Sequence, residues 1–311
     1  MGKSALRRLS IVLCYALYGM GILVVALWLL FPTEAVRRSF EEMLGRAWPE
    51  LSWKVGGVGL ELPANLTFRH IDGYAKQGDA VPLVRFERLF FQLHPLASML
   101  SWSGQAGYRL VIDKGSVAGT ARWQGAHGGG RIEGTIQDVS LAAVPWIGRQ
   151  LGRTVQGLAS GTFTADVQPA LPLVVTLEAR LSVANGRLGL QRPILGCREI
   201  PFTRAEVTVL GQGATFVLTQ GTLTSHLFDS RFSGTVALHR DPGLGQIDVQ
   251  GVADLKDYFF KGLDNTVNLQ AFRLQFKNNA LPFSIMGDLT SPGIYYGEHA
   301  ALVQNLEQEL R

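Results

Sequence analysis

Residues 171–188 read LPLVVTLEARLSVANGRL, and their alternation decides the fold. Leu173, Val175, Leu177, Ala179, Leu181 and Val183 fall on one side of an extended chain, while Thr176, Glu178, Arg180 and Ser182 fall on the other. Successive side chains of a strand point to opposite faces, so this is a strand with one apolar and one polar face. The apolar set is expected to be buried, and Glu178 and Arg180 exposed. Asn185-Gly186 is the pair that a tight turn with positive φ selects, and it predicts that the chain reverses there.

The same period recurs in Leu89, Phe91, Leu93; in Ala205, Val207, Val209; in Phe216, Leu218; and in Phe232, Val236, Leu238. Gly, Asn or Asp separates these runs, often at about ten to fifteen residues, as in a meander of strands. In VNLQAFRLQFKNN the apolar phase switches between Leu269 and Phe272, which predicts a bulge. Charged residues are only 17% and glycines number 36, a balance that suits strands and tight turns. The expected fold is therefore mainly β: an elongated, curved antiparallel sheet, folded on itself or sandwiched, with a few short helices.

Three stretches carry a helical period instead. In residues 32–49, Thr33 is placed to cap, Glu34 favours the first turn, and Val36, Phe40, Met43, Leu44 and Ala47 share a face until Pro49. This amphipathic helix is expected to pack on the β domain. Short helices are expected within residues 138–152 and 254–265. Residues 298–311, with Ala300, Leu302, Val303, Leu306 and Leu310, read as a fraying helical tail.

Ahead of all this, residues 9–31, LSIVLCYALYGMGILVVALWLLF, contain no charge. At about 1.5 Å per residue such a helix covers roughly 34 Å, enough for a hydrocarbon core of about 30 Å. A cleaved signal peptide usually has an apolar core of about 7–15 residues, which this run exceeds. Lys3, Arg7 and Arg8 precede it and keep residues 1–8 in the cytoplasm. The expected plan is a transmembrane helix over 9–31, the juxtamembrane helix over 32–49, a periplasmic β-rich domain over 50–297, and the tail over 298–311. The expected location is the bacterial inner membrane, single-pass, with the C-terminal domain in the periplasm.

Several chemistries have no sequence support. The net charge of +4 is spread along the chain, without the basic cluster that nucleic acid requires. Of the two cysteines, Cys14 lies inside the expected membrane segment and Cys197 far outside it, so no intrachain disulfide is expected, and Cys197 reads as a small buried hydrophobe. His70, His94, His127, His226, His239 and His299 are dispersed and match no metal-ligand spacing. Neither a nucleophile elbow nor a phosphate loop occurs, and the glycine-rich GGVGLEL and HGGGRIEG do not join a strand to a helix start. No catalytic, cofactor or metal residue is assigned, and a membrane-tethered hydrolase, whose two carboxylates can be remote in the chain, is kept as a third and lesser reading.

An apolar sheet face must be covered, and a second sheet, a helix or a hydrophobic ligand each satisfies that need. The residues expected to line an apolar groove, if the face stays open, are Phe216, Leu218, Phe232, Val236, Phe272 and Phe276.

The segments LLFPTEAVRRSFEEML, SLAAVPWIGRQLGRTVQGLASGTFTADV, the long run from NGRLGLQRPILGC to SGTVAL, and IMGDLTSPGIYY resemble the bacterial type II secretion system protein N family (GspN), part of the wider AsmA-like group. The resemblance covers nearly the whole chain through diffuse β patterns. It implies a non-enzymatic, cofactor-free accessory of a type II secretion system that acts by protein contact. Its partners would be the inner membrane and the secretion system's envelope proteins. The AsmA-like side implies the alternative of a lipid-binding or lipid-transfer module holding acyl chains.

Overall fold

The structure, a computed structural model, describes residues 30–61, 65–76, 81–93, 103–124, 129–168, 173–194, 197–239, 244–261, 280–301 and 303–304, with positions 15, 18, 19, 21 and 22. Its strands are β1 Leu51–Glu61, β2 Asn65–Ala75, β3 Val84–Leu93, β4 Ser103–Ile112, β5 Gly115–Gln124, β6 Gly130–Ser140 and β7 Val155–Gln168. They continue as β8 Leu173–Ile194, β9 Cys197–Gln212, β10 Thr215–Thr224, β11 Phe228–Ala237, β12 Gln246–Leu255, β13 Ala280–Asp288 and β14 Gly293–Tyr295. All fourteen form one sheet whose strand order equals chain order, antiparallel throughout. Such a meander needs only short connections. Asp113, at φ 51°, sits in a two-residue loop between paired Ile112 and Gly115. Gly213, at φ 61°, does the same between Gln212 and Thr215.

The sheet is open, so each end of its apolar face needs a cover. At the start, α1 (Thr33–Ala47) lies over β1–β3, where Phe40 stacks on Phe68 at 4.0 Å among Trp53, Val55 and Ile71. The Val55 amide donates to Glu41 Oε1 at 2.8 Å, which ties the helix to the edge strand. At the far end α3 (Asp257–Lys261) and Val303 cover β12–β13, with Phe260 fully buried against Leu281. Between these clusters a 3₁₀ turn, Leu141–Ala143, leads into α2 (Pro145–Leu151).

Local expectations are corrected in three places and met in a fourth. Thr33 is the first helical residue and makes no cap; Pro32 takes that place, its carbonyl accepting from Val36 at 3.0 Å. Asp138 belongs to β6, at φ 48°, so the 138–152 helix begins only after Ser140, and Gly152 ends it at φ 62°. Within 254–265 the expected short helix is present as α3, and 262–265 lie outside the described residues. The tail is seated rather than frayed at Val303, which is 2% exposed.

The largest correction concerns Asn185-Gly186. β8 passes straight through it and pairs with β9 on both sides. Asn185 does take positive φ, 50°, but pairing to β7 and β9 keeps the strand on course. The left-handed residue exchanges the strand's faces instead. Val183 registers with Ala205, and Leu188 with Ile200, so inward positions pass from odd to even numbers. Gly186 permits the close packing beside it: a Cβ there would stand 2.0 Å from Phe202 Cζ.

The alternation is present over residues 175–183, with Glu178 and Arg180 exposed, but the apolar face is not sealed. Ala179 is buried, Leu177, Leu181 and Val183 are half-buried, and Val175 is 39% exposed. Among the described residues no helix is long and apolar enough to cross a membrane. Most of the uncharged run 9–31 lies outside them, and the phase switch at 269–272 lies wholly outside.

Candidate functional site: an apolar trough

The unsealed face deepens over β8–β14 into a trough of about 330 Å³, open along one side. That volume falls at the lower end of the range of small-ligand sites, about 300–1,000 Å³. Its floor comes from inward positions of β10–β13, among them Leu218, Leu223, Phe232, Val249 and Phe283. A bulge after Leu218 keeps both β10 leucines on this face, since Leu218 registers with Val209 and Leu223 with Ala205. Gly221 opposes Phe232 and lies under its ring, with a hypothetical Cβ 2.2 Å from Phe232 Cε2.

One end is stopped by Phe259 of α3 with Leu255 and Leu281. There the Lys256 ammonium donates to the Ser225 carbonyl at 2.6 Å and lies 2.6 Å from Asp229 Oδ1. Ser225 Oγ donates to the Pro201 carbonyl at 2.6 Å and holds the 225–227 turn, whose Leu227 joins the lining.

The opposite wall is an arm of the sheet beyond the Asn185 kink. Leu188 on β8 and Cys197 and Ile200 on β9 line the space, as do Ile294 and Tyr296. One hydrogen bond joins this arm to the far end of the sheet, Gln191 Nε2 donating to the Thr290 carbonyl at 2.6 Å, and the same nitrogen donates to the carbonyl of Gly152, at the end of α2, at 3.0 Å. The first bridges 99 residues of chain. α2 is tied to the start of β3, with the Trp146 amide donating to the Leu83 carbonyl at 3.0 Å and Trp146 packed on the first core cluster.

The lining is nearly all hydrocarbon. Ser230 and the phenol of Tyr296 are its hydroxyls, and Cys197 its thiol, whose pKa burial pushes up. A thiol so placed is protonated and a poor nucleophile. Among the described residues no group of three His, Cys, Asp or Glu is placed to hold a metal. The geometry offers burial of apolar surface, not a proton or a nucleophile.

Of the six residues expected at the groove, Leu218 and Phe232 line the trough. Phe216 and Val236 oppose each other on the same face, next to the trough and not part of its wall. Phe272 and Phe276 lie outside the described residues. The arm residues Leu188, Cys197 and Ile200 were not expected. The signal for them is the change from odd to even apolar positions across Asn185, which reads as a turn until the strand is seen to continue. Neither family models nor curated proteins nor solved structures give a match to this chain.

Proposed function

We propose that this protein is a non-catalytic, inner-membrane-tethered accessory of a bacterial type II secretion system, working by binding, with a trough that takes hydrocarbon chains of lipids. The observation that carries the lipid part is the open, almost wholly apolar trough over β8–β14. Each methylene moved from water into such a wall is worth about 0.8 kcal/mol. A half-open trough without charged groups suits a chain that must enter and leave. The uncharged run 9–31 and the resemblance to the secretion protein N family support the tether and the machine.

Contact with secretion proteins draws on a second observation. Leu210 and Val217 register with each other on the outer, polar face of β9–β10, and they are 44% and 40% exposed. A pair of exposed aliphatics on a surface otherwise bearing Glu178 and Arg180 suits the edge of a protein contact.

The test is a pull-down of the tagged full chain from membranes, with co-purifying proteins and extracted lipids both identified. Leu218→Trp fills the trough and is expected to remove lipid while leaving the protein partners. Leu210→Asp is expected to do the reverse. Wild-type protein free of both lipids and secretion proteins would overturn the proposal.

A further inference from the structure

The trough has a wall that is joined rather than continuous. The arm formed by 186–191 of β8 and 197–202 of β9 lies beyond a crease in the sheet. Along that crease Asp138 on β6 and Asn185 on β8 have φ of 48° and 50°, and Gly157 on β7 has φ of 137°. Register shifts accompany these positions in the β6–β7 and β7–β8 ladders. Non-glycine residues at positive φ are uncommon, and three adjacent strands carrying such breaks mark where a sheet bends. The arm and the β13–β14 turn are not strand neighbours, since β8 and β13 stand five places apart in the sheet. The Gln191 amide bridges them, reaching Thr290 and Gly152 together. Gly152 fits closely there: a Cβ on it would stand 3.0 Å from Gln191 Nε2 and 3.1 Å from the Thr290 carbonyl oxygen.

We infer that Gln191 is the latch of a gate: its hydrogen bond to Thr290 holds the arm against the β13–β14 turn, its bond to Gly152 fixes the amide in place, and release from Thr290 opens the trough by flexing the crease at Asn185. The inference rests on reading the trough as a lipid site and adds how that site exchanges its occupant. An exposed side-chain amide bound to two carbonyls is a suitable latch. Water competes for it, so it breaks and reforms without unfolding the strands on either side.

Cys197 lines the trough on the arm and reports the gate directly. The experiment uses the full chain with Cys14→Ser in phospholipid nanodiscs, leaving Cys197 as the one thiol. The rate of Cys197 alkylation by a maleimide is followed, together with the dissociation rate of a fluorescent fatty acid and the melting temperature. Gln191→Ala is expected to raise the alkylation rate and the dissociation rate about tenfold each, the effect of losing the one hydrogen bond that closes the arm on the turn, with the melting temperature nearly unchanged. Asn185→Gly keeps positive φ accessible and loosens the crease, so it should raise alkylation in the same direction.

An unchanged alkylation rate in Gln191→Ala overturns the gate. So does an increase that appears only with a matching fall in melting temperature, because that is general destabilisation. Faster alkylation with no fatty acid bound by any variant supports the gate and removes the lipid reading. Bound fatty acid with unaltered alkylation supports the lipid reading and removes the gate.

Discussion

Two glycine substitutions that look equivalent in sequence are expected to behave differently, because the rings above them have different room. A Cβ on Gly186 would stand 2.0 Å from Phe202 Cζ, and one on Gly221 would stand 2.2 Å from Phe232 Cε2. Neither backbone is in the left-handed region, so the conflict is with the ring alone. Phe202 is 9% exposed and packed, whereas Phe232 borders open trough. Gly186→Ala should therefore carry the full penalty of overpacking, about 1–3 kcal/mol. In Gly221→Ala the ring swings into free volume, so the penalty should stay below about 1 kcal/mol while the trough narrows. At roughly 2–4 °C per kcal/mol for a domain of this size, thermal melts of the two variants should separate by several degrees. Adding Phe202→Leu should recover part of the loss in Gly186→Ala, and the non-additivity of that cycle measures the clash. Equal melting temperatures, or a double variant that is simply additive, would refute the account of how rings sit over glycines here.

Other consequences follow from single contacts. Glu41→Ala removes the acceptor of the Val55 amide and should cost about 1–2 kcal/mol in urea titrations, with Glu41→Gln retaining most of it. Phe260→Ala empties a fully buried site between α3 and β13, and about 3–5 kcal/mol should be lost, read from the same denaturation curves. Burial pushes the Tyr108 phenol up to about 12, from 10.0. Its folded pKa lies above the unfolded one, so its contribution is whole below pH 10 and is lost as pH rises toward 12. Tyr108→Phe should accordingly flatten the alkaline limb of a stability–pH curve, and an unchanged limb would contradict it.

Much of this architecture is written locally. The period-two pattern names the strands, and their order along the chain is their order in the sheet, so short-range turn chemistry suffices for the topology. What local pattern does not carry is the fate of a left-handed residue. Asn185-Gly186 has the chemistry of a turn, and only pairing with β7 and β9 makes it a kink within a strand. The trough was legible in part for the same reason. Leu218 and Phe232 follow from alternation on single strands, but Leu188, Cys197 and Ile200 join them because the sheet bends far enough for Gln191 to reach Thr290. Curvature of that kind is a property of many strands together. Likewise, whether an apolar face is sealed depends on what reaches it from elsewhere in the chain, and Val175 remains 39% exposed despite its place in a flawless alternation.

The central claim is that hydrocarbon occupies this trough, and photo-crosslinking tests it most directly. The full chain in membranes is supplied with a diazirine-bearing fatty acid, irradiated, digested and mapped by mass spectrometry. The account predicts adducts on peptides holding Leu218, Phe232, Val249 and Phe283, sharply reduced in Leu218→Trp. Adducts spread over the outer face, or equally abundant in Leu218→Trp, would contradict it.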